Sequence, residues 1–138
     1  MTWRPKQWHV IVEDGGAPVA HVGVVRAHVR AGGWSVAVGG VGGVVSVPQA
    51  RGRRLVHDAM RRALDFIHDD LHANAGVLFC LERLIPFYSR QGWRLIDAEA
   101  EFDQPTGRVV ASRFRAMVFP FPGCEWPPGR LEVPGYPW

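Results

Sequence analysis

The chain has 138 residues and a formal net charge of +3, and it is 47% hydrophobic and 21% charged. Such a chain forms one globular domain able to bury a core without disulfide or metal staples, and its composition excludes a disordered tail and a coiled coil. No apolar run reaches the roughly 18 residues of a transmembrane helix, and Met1-Thr-Trp-Arg-Pro5 opens no apolar signal segment. The expectation is a cytoplasmic chain with no membrane partner. Cys80 and Cys124 are too few for a metal framework; they fit reduced thiols, with one disulfide as the alternative.

Residues 8–13 alternate as a strand and end at Asp14-Gly15-Gly16, a hairpin signal. Residues 19–30, with Val19, Val22, Val24, Val25 and Val29, form a long β-branched strand that turns at Ala31-Gly32-Gly33. Residues 34–47 form a third, interrupted by Gly39-Gly40-Val41-Gly42-Gly43; glycines inside a strand mark a bulge or a close approach by another group. Pro48 ends it. From Arg51 the period turns helical, with Val56, Ala59, Met60, Ala63, Leu64, Ile67 and Leu71 on one face, running to His72 before Asn74-Ala75-Gly76. Residues 77–81 are a buried central strand. A helix over 82–90 contains Pro86, so it is short, kinked or late in starting, and Gly92 closes it. Residues 93–96 and 113–119 are two further strands, with Asp103 to Gly107 as the loop between them. Residues 120–138 are rich in proline and read as irregular, with Trp126, Tyr136 and Trp138 packing on something. The order β-β-β-α-β-α-β-β gives an α+β domain with a mixed sheet over 1–120 and a Pro/Trp-rich tail over 121–138.

The informative segment runs from Val44 to Val56. A strand stops at Pro48, a basic turn holds Gly52, and an amphipathic helix begins at once. The first turn of a helix carries unpaired N–H groups and partial positive charge, and a glycine there lets a diphosphate reach the backbone. Arg51, Arg53 and Arg54, followed by Arg61 and Arg62, add forked donors suited to phosphate oxygens. The plain alternative is a helix start with a solvated basic cap. Two other phosphate loops fail: no Gly-Lys-Ser/Thr triplet exists, and the glycines at 39–43 miss the G-x-G-x-x-G spacing at Val41 and Val45. The arginines cluster at one turn without interleaved aromatics, so nucleic acid is not the expected partner.

The Pro48–Arg51–Gly52 turn resembles the acetyl-CoA motif of the GNAT superfamily of N-acetyltransferases, with Arg54 and Val56 where the motif's later small residues stand. Arg51-Gly-Arg-Arg-Leu-Val56 is similar to the form in aminoglycoside 2′-N-acetyltransferases. Phe87-Tyr-Ser-Arg-Gln-Gly-Trp93 resembles the family's Tyr-x-x-x-Gly-Phe/Trp segment, and Cys124-Glu-Trp126 with Trp138 resembles that subfamily's Cys-Asp-Trp and final Trp.

This resemblance implies a GNAT-like, mostly antiparallel mixed sheet with a splayed central strand pair and two main helices, shortened at its start. It implies acetyl-CoA as cosubstrate and a small amine, such as an aminoglycoside, as acceptor. The backbone of Val44, Val45 and Ser46 would hold the pantetheine arm. The N–H groups of Arg51, Gly52, Arg53, Arg54, Leu55 and Val56 would hold the pyrophosphate. An N–H at or beside Val44 would polarise the thioester carbonyl. Tyr88 would protonate the leaving thiolate; as a residue type alone, it is equally a core aromatic. Gly42 stands where the subfamily has a glutamate and Tyr136 where it has an aspartate, which leaves Glu82, Glu125 and the carboxylate of Trp138 for the acceptor side. His68 and His72 have the spacing of metal ligands but fit a solvated helix end, so no metal is expected. Cys80 lies in an apolar run and fits an inert thiol. The shortened start leaves the acceptor side open, or covered by the tail or by a second subunit in a homodimer. The competing expectation is a CoA-binding or protein-interaction module with the same fold and no turnover.

Overall fold

The computed structural model describes residues 1–52 and 54–138. β1 (Trp8–Asp14) and β2 (Ala17–Ala31) meet through Gly15 and Gly16, whose φ angles of 59° and 83° are the positive pair a two-residue hairpin requires. β2 then pairs antiparallel with β3 (Trp34–Ser46) from Ala31↔Trp34 to Ala20↔Ser46. Gly23 pairs with Gly42 and His21 with Val45, so Gly43 and Val44 stand opposite the single Val22. That is a bulge, and Gly43 takes it at φ 59°, where a side chain would be strained.

The other edge of β3 runs parallel to β4 (Ala75–Cys80), from Val38↔Ala75 to Val41↔Leu78. There the ladder stops. β3 continues through Ser46 and β4 through Cys80 with no pairing between them, so the strands part into a gap. β4 also pairs with β8 (Arg115–Pro120), which carries β5 (Arg94–Leu95). On the far side, Arg30 and Ala31 of β2 meet β9 (Leu131–Val133), followed by the hairpin β6 (Ala100–Gln104) and β7 (Gly107–Val110). The sheet order is β5-β8-β4-β3-β2-β9-β6-β7, with β1 on β2.

One face of the sheet is covered by α1 (Leu55–Asp69), which buries Ala59, Met60, Ala63, Leu64 and Ile67 against Val22, Val24, Val41 and Leu78. Ile67 fills the place of a side chain at Gly39. The opposite face closes over Val25, Val29, Val38 and Val77, with Phe102, Leu131, Val133 and Trp138 supplied from the curled end of the sheet. Each such buried aliphatic or aromatic side chain stabilises the fold by about 1.5–3 kcal/mol.

The expected mixed, mostly antiparallel sheet with a splayed strand pair and two helices is the fold observed. Four local expectations change. α1 begins at Leu55, because Pro48–Ala50 form a 3-10 turn and Arg54 is left-handed at φ 61°. The second helix shrinks to α2 (Ile85–Ser89), preceded by a 3-10 turn at Glu82–Leu84, with Pro86 in the first turn where its missing N–H goes unneeded. Asp103 to Gly107 is the turn end of the β6–β7 hairpin rather than a loop between the last two strands. The tail is not irregular throughout, since β9 lies inside the sheet. Among the described residues, no helix is long and apolar enough to cross a membrane.

Candidate active site

Three features converge at the gap. The first is the edge of β3. Val47 N–H donates to Val19 O at 2.9 Å, so strand alternation turns the backbone groups of Val44 and Ser46 away from β2 and toward the gap. Val44 is half-buried against the α1 core, while Val45 faces outward and is 61% exposed. Beside it, Ile11, Val19, His21, Val45, Ser46 and Val47 line a shallow apolar groove of about 310 Å³.

The second feature is a histidine relay that sequence reasoning missed. His21 Nδ1 lies 2.6 Å from Gly43 O, and its Nε2 lies 2.8 Å from His9 Nδ1. A carbonyl only accepts, so His21 donates to Gly43 through Nδ1–H, and in the neutral ring its Nε2 then accepts from His9. Gly43 C=O and Val44 N–H belong to one trans peptide plane and point in opposite directions. By holding the carbonyl on the β2 side, His21 aims the Val44 N–H into the gap. The signal was available: the hairpin register puts Ile11 opposite His21, so His9 lies diagonally from His21 on the same face.

The third feature is the entry to α1. Arg51, Gly52 and Arg54 are exposed, and Gly52 stands at φ 81° with nothing within 4 Å of an added methyl. The junction is open rather than sealed by side chains. The first bond of the helix is Asp58 N–H to Arg54 O at 3.0 Å. The N–H groups of Leu55 and Val56 therefore have no helical partner among the described residues. Arg53 lies outside the described residues.

Across the gap, Tyr88 on α2 packs in the α1-side core, 6% exposed and edge-on to Trp93 at 6.4 Å between centroids. Burial, with a smaller contribution from Cys80 at the end of β4, pushes its phenol up to about 12. The hydroxyl thus stays protonated through the neutral range. Cys80 is itself pushed up by burial, in keeping with an inert thiol. Glu82 follows β4 and reaches Arg115 Nη1 at 3.4 Å. Glu125 is elsewhere: its segment follows Phe121, whose N–H donates to Asn74 O at 3.0 Å, at the opposite end of β4.

Trp138 approaches from the face opposite α1. Its Nε1–H donates to Val77 O at 2.9 Å, and its ring covers Gly40 so closely that a methyl there would meet Cδ2 at 2.5 Å. Its carbonyl carbon lies 2.9 Å from a methyl position on Gly42. Arg4 caps the ring at 5.4 Å, and its N–H donates to Pro137 O at 2.6 Å. Val44–Ser46 and the end of Trp138 thus flank the gap, Tyr88 lies in the α1-side core, Glu82 turns toward β8, and Arg51, Gly52 and Arg54 are exposed at the entry to α1.

Comparison with known proteins agrees with this fold. The search of curated proteins gives no match. Among solved structures, the E. coli GNAT family N-acetyltransferase YhbS, in complex with CoA, has 20% identity and a TM-score of 0.62 over 93% of this chain and 67% of its own. A GNAT family acetyltransferase from Brucella melitensis, in complex with acetyl-CoA, has 20% identity and a TM-score of 0.58 over 89% of this chain and 63% of its own. An N-acetyltransferase from Kribbella flavida has 25% identity and a TM-score of 0.57 over 64% of this chain; the chain spans only 22% of that protein's length. The acetyltransferase (GNAT) domain model matches residues 3–96, and the chain belongs to that family.

Proposed function

We propose that the chain transfers an acetyl group from acetyl-CoA to a primary amine of a small molecule. The observation that carries this reading is the parting of β3 and β4 after Val41 and Leu78, next to a bulge that aims the Val44 N–H into the opening. An extended pantetheine arm can complete the free edge of Val44, Val45 and Ser46 as a missing strand would. Its pyrophosphate then meets the amides of Gly52, Leu55 and Val56, with the arginine side chains neutralising charge, while the Arg51 N–H is held by Pro48 O at 3.2 Å. Residues 1–120 carry this cosubstrate site, and residues 121–138 cover the acceptor side through Trp138.

The chemistry is an acyl transfer. The neutral amine attacks the thioester carbonyl carbon, charge develops on its oxygen, and the Val44 N–H stabilises that charge. The C–S bond then breaks. Tyr88 gives its proton to the thiolate and recovers one from the solvent or the product ammonium. Glu82 contributes negative charge where an amine enters, and Glu125 takes no part.

Calorimetry with acetyl-CoA, followed by thiol release over a panel of amines that includes an aminoglycoside, tests the reading. Heat of binding with amine-dependent release is expected. Gly42, where a carboxylate would serve as base, favours the second reading, a CoA-binding module; binding without release from any amine is its outcome.

A further inference from the structure

Lys6 is the only lysine in the chain, and the reaction described above gives it no part. A methyl built on Gly23 would lie 2.5 Å from Lys6 Cγ, and one on Gly42 would lie 2.8 Å from Lys6 Cε. Gly23 and Gly42 are register partners on β2 and β3. Their missing side chains form a channel across the two strands, and the Lys6 stem lies along it. The same Cε is 3.8 Å from the methyl position of Gly43, the residue before Val44. Lys6 Nζ donates only to Arg4 O, at 3.3 Å, and makes no ion pair among the described residues. The titratable groups around it are Arg4 on its own segment, His21, whose ring lies 3.2 Å from the Gly43 methyl position, and the carboxylate of Trp138, whose carbon lies 2.9 Å from the Gly42 methyl position that Lys6 Cε approaches to 2.8 Å. Burial lowers the lysine's pKa, which enlarges the fraction present as free amine.

An unbranched primary alkylamine, laid across facing glycines and ending beside the thioester's proposed oxyanion donor, has the geometry of a bound acceptor. We propose that Lys6 is an intramolecular acceptor and that the protein acetylates its own Lys6 from acetyl-CoA. The inference rests on the reading of the gap as the thioester site. Lys6 first loses its ammonium proton to water. Nζ attacks the acetyl carbon, the C–N bond forms and the C–S bond breaks. The thiolate takes a proton from Tyr88, and the second proton on nitrogen passes through solvent as the amide forms and restores the Tyr88 phenol. The products are one Lys6 acetamide and free CoA, with no net oxidation. The acetamide is uncharged and bulkier, and it remains over Gly42.

The test incubates the intact protein with acetyl-CoA and locates added acetyl groups by peptide mass spectrometry, alongside a thermal shift with CoA. The expected result is one acetyl on Lys6, at a rate that saturates with acetyl-CoA and is unchanged when the protein is diluted. That rate should exceed the rate on the urea-unfolded chain by at least about tenfold, as a positioned nucleophile requires. Lys6→Arg, still shifted by CoA, should take up no acetyl group at residue 6 and release no thiol in the absence of an added amine. A CoA shift with Lys6 unmodified overturns the inference and leaves the cosubstrate site standing. A rate proportional to protein concentration, or equal to that of the unfolded chain, also overturns it. Absence of any CoA shift overturns the reading of the gap itself, and the inference with it.

Discussion

The two halves of β3 are both built mainly of valine and glycine and have opposite fates. From Val38 to Val41 the strand is buried, paired on both edges, and covered by Ile67 on one face and Trp138 on the other. From Gly42 to Ser46 it is paired only to β2 and alternates between half-buried and exposed. Glycine serves the first half by leaving room for other side chains and the second half by allowing a bulge. A strand can therefore be core at one end and a backbone docking edge at the other, if a single extra residue ends one regime and starts the next.

The comparison breaks hardest across the gap. Tyr88→Phe keeps the ring in its core and removes only the proton, so we expect about a 100-fold fall in thiol release with CoA binding retained. An unchanged rate would remove Tyr88 from the chemistry. Gly40→Val puts methyls into the Trp138 ring, and overpacking of this kind should cost about 2–3 kcal/mol in urea unfolding. His21→Ala in the other half should do the reverse. Urea stability should hold while turnover falls about tenfold, because the Val44 N–H loses its aim. Should His21→Ala instead unfold the chain and spare the rate, the division between the halves fails.

Asp103 sharpens the comparison from a distance. It accepts the Gly135 N–H at 2.8 Å and pairs with Arg108 at 2.9 Å, holding the segment that brings Trp138 onto β3. The Gly135 bond first, and Arg108 after it, hold its carboxyl below the ordinary value of 3.8. A folded value below the unfolded one gives stability that is full above the unfolded value and lost as pH falls through the folded one. Asp103→Asn should therefore lower Tm slightly at neutral pH, and the difference should vanish as the medium is acidified through that lowered value.

Periodicity and turn chemistry made the meander, α1 and the entry at Gly52 legible, because each depends on neighbours in sequence. The β6–β7 hairpin was lost because Glu101 and Asp103 dilute a short strand, and a proline-containing turn looks like any loop. β9 was lost because Leu131–Val133 sits between prolines and owes its form to partners on β2 and β6. The roles given to Tyr88 and Val44–Ser46 come from motif resemblance. Lys6 and the indole contact of Trp138 depend on which distant segments cross the same two glycines, and no local pattern carries that. His21 was recoverable from hairpin register alone.

The pairing of Arg4 with Pro137, and of Thr2 with Gln104 at 2.7 Å, brings the first and last stretches of the chain together beside Gly42. Anything fused to either stretch, by nature or by cloning, would emerge next to the acceptor opening. An affinity handle at those positions would compete with the amine.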